Sequence, residues 1–495
     1  MGVLGQLYRC PLTLLTDLYQ LTMAQGYWKL GMQQRQAAFS LTFRENPFGG
    51  GYAIACGLNY AIEYVEGFRF GESELAYLAS LEGNDGRALF ERPFLEYLAA
   101  LRWTVDIDAV PEGTVVFAHE PMLRVTGPIL QCQLLETPLL NMVNFQTLIA
   151  TKAARICQAA RGEPVLEFGL RRAQGIDGAL AAARAAYVGG CAATSNVLAG
   201  KLFGIPVRGT HAHSWVMAFD DELEAFEAYA RAMPNNCIFL VDTYDSIEGV
   251  RRAVEVGRKL REKGHRMVGI RLDSGDLVHL SVEARKILDA AGFTDAVIVA
   301  SNELDEQVIE SLKARGAAIC VWGVGTKLVT AHGQPALGGV YKLTAIRDET
   351  GQWRDRVKLS EGGAKTSAPG LHQVRRFRRG ELFIADMIYD IRHPPAGEAK
   401  LVDLQDGTQR QAIPADAAHE DLLVPIFREG KRVYDPPPLD EARRRAQDQL
   451  GRLHAGIKRL AEPQHFLVGL EEGLFQRKRE LTRRTRRQAG GEEQR

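Results

Sequence analysis

The sequence predicts an α/β fold whose central domain is a barrel. Between about residues 137 and 340, six short runs rich in β-branched residues alternate with stretches of helical periodicity. Each run ends in polar residues or glycine, as buried parallel strands do at a sheet edge. Hydrophobic residues make up 46% of the 495 residues and charged residues 25%, a composition that excludes global disorder and allows a large core. Six successive βα units favour a barrel over an open sheet.

Residues 1–136 are predicted to form an N-terminal α+β domain. The segment DLYQLTMAQGYW, which begins at Asp17, has the spacing of a helix, and Thr16 or Asp17 can cap it. AAFSLTFREN predicts a strand. Residues 111–136, PEGTVVFAHEPMLRVTGPILQCQLLE, predict short strands separated by proline and glycine.

The barrel domain is assigned to residues 137–340, and its strand ends supply the candidate functional residues. The six predicted strands are PVLEFGLRR, GIPVRGT, CIFLVDTYD, RMVGIRLDSGD, AVIVASNELD and AAICVWGVGT. In barrels of this type the chemistry gathers at the carboxyl ends of the strands. Those ends carry, in chain order, Phe168, Arg171, Thr210, His211, His213, Asp242, Asp245, Arg271, Asp273, Asp276, Ser301, Asn302, Gly323, Gly325 and Thr326.

These residue types indicate an anionic substrate that also carries hydroxyl groups. Arginine recognises carboxylate or phosphate with two parallel hydrogen bonds, and aspartate accepts hydrogen bonds from hydroxyls. The turn WGVGTKLVT can direct backbone N–H groups at a phosphate, although a glycine turn that merely closes a βα unit has the same sequence features. The turn lacks the spacing of a Walker loop.

Two motifs leave alternatives open. His211 and His213 share one face of a predicted strand, but no third zinc ligand lies nearby in sequence. A single functional histidine with Asp242 as its partner is therefore favoured over a metal site, while the spacing is also compatible with a structural histidine. Arg271 and Asp273 alternate onto one side of a strand end, which indicates a ligand or mutual pairing, whereas Asp273 could also simply cap the next helix.

Residues 341–495 are assigned to C-terminal additions. GGVYKLTAIRDETGQWRDRVKLSE predicts a β-hairpin with a DETG turn. The basic residues from Arg477 to Arg487 are interpreted as a solvated helix end followed by a frayed tail. An RNA-binding arm is disfavoured because aromatic residues do not alternate with the basic ones.

Composition limits the partners. The 61 Lys and Arg residues balance 61 Asp and Glu residues, which argues against a protein that binds nucleic acid or a membrane over its whole surface. The seven cysteines are scattered without a C-x-x-C pair, so a disulfide framework or a thiolate zinc site is not expected. Because no apolar stretch reaches about 20 residues and the N-terminus lacks a signal-peptide pattern, a cytoplasmic protein is expected.

Several long motifs resemble the nicotinate phosphoribosyltransferase family. They are LLTDLYQLTMAQGYW, EFGLRRAQG, GTHAHSWVMAF, VDTYDS, RLDSGDL, VGTKLVT and LGGVYKL, in this order along the chain. The resemblance extends from about residue 10 to the segment LLVPIFREGKRVYDPPPLDEARRRA and so covers nearly the whole chain. It implies a type II phosphoribosyltransferase, in which an irregular α/β barrel is joined to an N-terminal α+β domain and C-terminal additions.

The same resemblance implies an activity. Nicotinate and 5-phosphoribosyl 1-diphosphate would be joined to give nicotinate mononucleotide and diphosphate in NAD biosynthesis, coupled to ATP hydrolysis. Mg²⁺ would arrive with the phosphates, and no residue is assigned as its ligand. In a homodimer that shares its active sites across the interface, Tyr19 of one subunit would contact nicotinate and Phe168 of the other would cover the opposite face of the ring.

The family's residue roles carry over to matching positions. Arg171 and Arg271 would bind anionic groups of the two substrates. His213 would be phosphorylated by ATP, and Asp242 would orient it, while Asp273 would hold ribose hydroxyls. The other substrate-binding residues would be Ser195, Thr210, Gly323, Gly325 and Thr326, of which the last three would cradle the 5′-phosphate.

Three alternative functions are distinguished by single residues. The related enzyme that uses nicotinamide carries an aspartate where this chain has Ser195, and an aspartate would repel the carboxylate of nicotinate. A barrel aldolase would need a Schiff-base lysine at a strand end. None of the six predicted strand ends carries one directly, although Lys327 is close. A non-catalytic protein would be expected to have lost His213 or Asp273, and both are present.

Overall fold

A computed structural model describes residues 2–8, 10–359, 367–395, 399–404 and 406–489. The chain forms two compact units. One consists of Met1–Leu148 together with Ala336–Arg495, and the other of Ile149–Pro335. The residues predicted as C-terminal additions therefore fall in the same unit as the N-terminal residues.

The N-terminal part of the first unit mixes helices and strands, as predicted. Its helices are α1 (Val3–Leu7), α2 (Leu18–Lys29), α3 (Leu58–Gly67), α4 (Glu72–Ala79), α5 (Arg92–Ala100), α6 (Ile129–Leu134) and the start of α7 (Glu136–Ala159). Its strands are β1 (Gln36–Phe43), β2 (Ala53–Ile54), β3 (Asp106–Ala109), β4 (Val115–Val116) and β5 (Leu123–Pro128). The helix predicted from Asp17 and the strand predicted in AAFSLTFREN are confirmed as α2 and β1.

Two details of this region differ from the prediction. Residues 129–134 form helix α6 instead of a strand, because leucine and glutamine favour a helix and all six side chains find burial in that form. Asp17 occupies the cap position of α2, but its carboxylate accepts a hydrogen bond from Thr137 Oγ1 (2.8 Å) and none from the helix amides.

The second unit contains a parallel sheet surrounded by helices. Its strands are β6 (Val165–Glu167), β7 (Ala193–Thr194), β8 (Ile238–Leu240), β9 (Gly269–Leu272), β10 (Val297–Ala300) and β11 (Val321–Val324). They pair in the order β7-β6-β11-β10-β9-β8, and every pairing is parallel. The helices are α8 (Gly175–Val188), α9 (Val197–Phe203), α10 (His213–Val216), α11 (Glu222–Ala232), α12 (Ser246–Glu262), α13 (Leu277–Ala290), α14 (Glu306–Ala314) and α15 (Thr326–Val329).

The segment GIPVRGT is not the strand that the sequence predicted. It contributes one parallel bridge, between Val207 and Thr194, while the two-residue strand β7 takes the sixth place in the sheet. Pro206 has no N–H to donate to a ladder, which shortens pairing here. A gap separates this segment from β8. The side chain of His211 bridges it, because its Nε2 accepts a hydrogen bond from the N–H of Leu240 (3.1 Å). This gap between GIPVRGT and β8, which we call the barrel seam, makes the barrel irregular.

The C-terminal part of the first unit is mostly antiparallel sheet. Its strands are β12 (Gly339–Arg347), β13 (Trp353–Asp355), β14 (His372–Arg379), β15 (Leu382–Asp390), β16 (Lys400–Asp403), β17 (Arg410–Ala412), β18 (Ala418–Asp421), β19 (Val424–Arg428), β20 (Lys431–Arg432) and β21 (Val468–Glu471). Two long helices, α16 (Leu439–Gly451) and α17 (Glu472–Ala489), complete it. The predicted hairpin is confirmed as the antiparallel pair β12–β13.

Two large sheets build the first unit. One has the order β13-β12-β1-β5-β3-β19-β20 and joins N-terminal to C-terminal strands, and the other has the order β17-β16-β21-β15-β14-β18. The basic residues 477–487 lie in α17, and the tail predicted beyond residue 489 lies outside the described residues. Of the helices that the structure describes, none combines the length and the apolar character of a membrane span.

Candidate active site

A polar cleft lies at the carboxyl ends of the parallel strands of the second unit and encloses a cavity of about 210 Å³. It brings together most of the residues that the sequence singled out. The predicted residues in its lining are Phe168, Arg171, Ser195, Thr210, Arg271, Asp273, Gly323, Gly325 and Thr326. Ser301 and Asn302, which were also predicted at a strand end, line it too, together with Arg172, Gly209 and Glu303.

Arg271 is the centre of the hydrogen-bond network in this cleft. It belongs to β9, and its side chain is only 11% exposed. Its guanidinium donates to Ser301 Oγ (2.8 Å), Thr210 Oγ1 (2.9 Å) and Asp273 Oδ1 (3.1 Å). The predicted pairing of Arg271 with Asp273 is thus confirmed, and Arg271 joins the ends of β9 and β10 to the segment that carries Thr210.

Asp273 is held in its charged form. Burial would raise the pKa of this carboxyl, but the hydrogen bond from Ser301 and the charge of Arg271 together keep the pKa below its ordinary value. Ser301 and Arg271 both engage Oδ1. Helix α13 is capped by Asp276, which accepts from Val278 N (3.0 Å), so Asp273 is not the cap of that helix.

His213 is the first residue of α10 and lies beside Asp273. Its Nδ1 forms a hydrogen bond with Thr243 Oγ1 (3.1 Å), and its Nε2 is 3.7 Å from Asp273 Oδ2. The predicted pairing of His213 with Asp242 is therefore wrong. Both Asp242 and Thr243 lie in the loop after β8, and there Thr243 reaches the histidine ring while Asp242 makes other contacts.

Asp242 instead ties the loop after β8 to the loop after β9. Its Oδ2 accepts hydrogen bonds from the N–H of Asp273 and the hydroxyl of Ser274, both at 2.7 Å. Its Oδ1 is buried and has no hydrogen-bond partner among the described residues. A buried carboxylate oxygen without a donor is suited to a hard cation.

His211 has a structural position, and the expectation that it shares a strand face with His213 is wrong. Its ring is packed among Phe226, Tyr229 and Phe239 at the barrel seam. Burial lowers the pKa of His211 to about 4, so the ring is neutral at pH 7 and can accept from Leu240.

Packing also requires a glycine at Gly323 of the predicted phosphate turn and leaves little room for a side chain at Gly325. A Cβ atom at Gly323 would lie 2.7 Å from the ring of Phe168, and one at Gly325 would lie 3.3 Å from its carbonyl oxygen. Thr326 begins α15, and its hydroxyl is 3.3 Å from Glu303 Oε1. The turn therefore positions the aromatic wall of the cleft and exposes the threonine beside it.

Two other residues named from the sequence, Tyr19 and Lys327, lie outside the lining of the cleft. Tyr19 lies on α2 in the first unit with an exposed side chain. Lys327, the candidate Schiff-base lysine, forms an ion pair with Asp305 (2.8 Å), which disfavours an aldolase. Sequence reasoning missed Thr243, although it directly follows Asp242 at a predicted strand end. In the part of the chain that the structure describes, no cluster of three His, Cys, Asp or Glu side chains could hold a metal ion.

Models of one protein family match three consecutive parts of the chain. The N-terminal domain of nicotinate phosphoribosyltransferase matches residues 14–144, the nicotinate phosphoribosyltransferase family model matches residues 164–352, and the C-terminal domain matches residues 372–478. Together the three matches span most of both units and include the cleft.

Individual relatives agree with these matches. Nicotinate phosphoribosyltransferase of Bacillus subtilis (strain 168) is 44% identical over 481 residues, which is 94% of this chain and 94% of that protein. The Homo sapiens protein of the same name is 37% identical over 519 residues, or 93% of this chain and 95% of the relative. A crystal structure of human nicotinic acid phosphoribosyltransferase superposes with a TM-score of 0.82 at 35% identity, covering 94% of this chain and 99% of that one.

Proposed function

The chain belongs to the nicotinate phosphoribosyltransferase family, and from this premise we propose that it joins nicotinate to 5-phosphoribosyl 1-diphosphate. The products are nicotinate mononucleotide and diphosphate. The observation that carries the proposal is the cleft in which Arg271 donates hydrogen bonds to Asp273 and Thr210, and whose lining includes the turn with Gly325 and Thr326. A charged carboxylate can accept hydrogen bonds from ribose hydroxyls, and the backbone N–H groups of the turn can bind a phosphate.

The reaction requires positioning and charge stabilisation more than covalent catalysis. Departure of diphosphate builds positive charge on the ribose ring while the ring nitrogen of nicotinate attacks its C1 carbon. Asp273, which its neighbours keep ionised, accepts from the ribose hydroxyls. Arg171 and Arg271 bind the anionic groups of the two substrates.

Three cleft residues form the nicotinate end, which we define as Phe168, Arg171 and Ser195. The ring of Phe168 lies over Gly323 and offers an apolar face to the pyridine ring. Tyr19, whose side chain is exposed, would cover the other face from the neighbouring subunit of a homodimer. Sedimentation at a single-chain mass under assay conditions would contradict this arrangement.

Mg²⁺ fits the acidic side of the cleft. Asp242 offers a buried oxygen without a partner and Asp273 lies next to it, and Mg²⁺ is usually held by one or two carboxylates together with substrate phosphates. When bound, the ion would neutralise charge on the diphosphate. Removal of Mg²⁺ with a chelator should therefore abolish turnover.

ATP coupling is assigned to His213. Its side chain is 38% exposed, Thr243 fixes the ring, and Asp273 lies near its other nitrogen. Transfer of the terminal phosphoryl group of ATP to this ring would release ADP and add negative charge and acceptor oxygens beside the carboxylates. Those oxygens would help to hold Mg²⁺ and the diphosphate.

Replacing His213 by alanine should uncouple the two reactions. We expect ATP hydrolysis to fall to background while weak formation of nicotinate mononucleotide continues, because the positioning residues of the cleft stay in place. ADP release and mononucleotide formation are measured in parallel, with His279→Ala on the exposed surface of α13 as control. Undiminished ATP consumption by the His213 variant would refute the assignment.

Acceptor preference tests the proposed function directly. The enzyme should use nicotinate much better than nicotinamide, with kcat/KM compared for both acceptors, with and without ATP. Ser195→Asp should reduce the preference, since two like charges about 4 Å apart repel by about 1 kcal/mol in water and about 4 kcal/mol at a partly buried site. This predicts a loss of nicotinate kcat/KM between about fivefold and several hundredfold. Equal use of both acceptors by the unaltered enzyme would contradict the proposal.

A further inference from the structure

A buried carboxylate lies beneath the nicotinate end of the cleft. Glu167 is the last residue of β6 and is 1% exposed, so it does not line the cavity. Its Oε1 accepts a hydrogen bond from the N–H of Gly169, and its Oε2 accepts one from the hydroxyl of Thr194 at 2.5 Å. One side chain thus joins the ends of two neighbouring strands.

The first hydrogen bond fixes the backbone that carries the aromatic and cationic residues. Gly169 lies between Phe168 and the turn Leu170–Arg172, which contains Arg171. A Cβ atom at Gly169 would approach Val329 Cγ1 to 2.2 Å, so this backbone is closely packed. Without the carboxylate, the buried N–H of Gly169 would lose its acceptor, and the turn would shift to find another.

The second hydrogen bond fixes the residue that distinguishes the acceptors. Thr194 Oγ1 donates to Glu167 and accepts from the N–H of Asn196 (3.0 Å). Ser195 lies between these two residues, and its N–H donates to the carbonyl oxygen of Glu167 (2.9 Å). Both the backbone and the side chain of Glu167 therefore determine where Ser195 is placed.

We propose that Glu167 is a positioning residue that sets the geometry of the nicotinate end, and hence the affinity for the pyridine carboxylate. This inference rests on the proposed function. The three contacts of Glu167 are Gly169, which follows Phe168, Thr194, which precedes Ser195, and the N–H of Ser195 itself. The hydrogen bonds of Arg271 to Ser301 and Asp273 involve none of the atoms of Glu167. Burial raises the pKa of Glu167, and the bonds from Thr194 and Gly169 oppose that rise, as expected for a group that accepts at both oxygens.

The selectivity of the effect tests the proposal. In Glu167→Ala, KM for nicotinate should rise about 10- to 100-fold, because misplacement by about 1 Å is enough for such a loss. KM for 5-phosphoribosyl 1-diphosphate should stay within about twofold. Glu167→Gln should recover most of the nicotinate affinity, since its amide oxygen can accept from Gly169 while the hydroxyl of Thr194 rotates to accept from the amide nitrogen.

Glu163 provides a matched control near the opposite end of the same strand. Its carboxylate accepts from Trp322 Nε1 (2.7 Å) and pairs with Lys313 (2.6 Å), and neither Glu163 nor these two partners line the cleft. Glu163→Ala should lower the melting temperature and leave both KM values unchanged. If Glu167→Ala does not fold, Thr194→Val and Thr194→Ser give the same comparison, with loss expected only for valine.

The outcomes separate this inference from the proposed function. Equal increases of both KM values in Glu167→Ala, or a loss confined to stability, would overturn the role of Glu167 while the unaltered enzyme still forms nicotinate mononucleotide. If the unaltered enzyme forms none, the proposed function falls, and the inference falls with it. A selective rise in KM for nicotinate that glutamine reverses would support it.

Discussion

Replacing Arg271 by alanine is expected to lower kcat/KM for nicotinate mononucleotide formation by about 100- to 1,000-fold, the usual cost of removing a preorganised donor from an active site. Its guanidinium donates to Ser301, Thr210 and Asp273 and is largely buried. Alanine would remove the cation that faces the anionic substrate and would also release the carboxylate of Asp273 and the hydroxyl of Thr210.

The lysine variant separates charge from geometry. Arg271→Lys keeps the positive charge, but an ammonium group cannot make the same fork of hydrogen bonds to Ser301, Thr210 and Asp273. We therefore expect the lysine variant to lose most of the activity as well. Arg266 is the control, because it lies just before β9, is 65% exposed and pairs with Asp295 (2.9 Å). Near-normal activity of Arg271→Lys, measured with both substrates varied, would show that charge alone is needed.

Much of the barrel could be predicted because its strands are buried on both faces. Runs such as CIFLV and AVIVA have no polar residue until the strand ends, so the sequence marks both the strand and the edge where chemistry gathers. Arg271 and Asp273 were placed together by simple alternation. The strand β7 was missed because it has only two residues, Ala193 and Thr194, whose pairing depends on the neighbouring strand and not on local propensity.

The side-chain pairings within the site were less predictable. Asp242 and Thr243 lie in the loop after β8, beyond the regular alternation of the strand, so the sequence pattern did not show that Thr243 and not Asp242 reaches His213. The structural role of Glu167 could have been inferred from the sequence but was not. A carboxylate in the buried run VLEFG requires hydrogen-bond donors, and only the folded chain shows that these are Gly169 and Thr194.

A second large effect concerns stability. Arg376→Met should lower the free energy of unfolding of the first unit by about 3–5 kcal/mol, the cost of leaving a buried charge without its partner. Arg376 and Asp386 face each other on β14 and β15, and neither side chain is exposed. The guanidinium donates to Asp386 Oδ1 (2.9 Å) and Gln449 Oε1 (3.1 Å), and it lies over the ring of Phe383. Urea denaturation followed by circular dichroism measures the change.

The double variant decides what this pair contributes. The carboxylate of Asp386 loses its partner when Arg376 alone is replaced, whereas Arg376→Met with Asp386→Leu removes both charges of the pair. Glu120 is buried beside them, and burial and the neighbouring Asp386 raise its pKa well above the ordinary value, so the double variant leaves this carboxyl group in place and should regain only part of the lost stability. Arg379→Ala is the control on the same strand, because its pair with Asp416 is 65% exposed on both sides and should contribute at most about 1 kcal/mol. If the double variant is as unstable as Arg376→Met, the loss comes from the contacts of Arg376 with the aromatic rings and with Glu120, and not from the charge of Asp386.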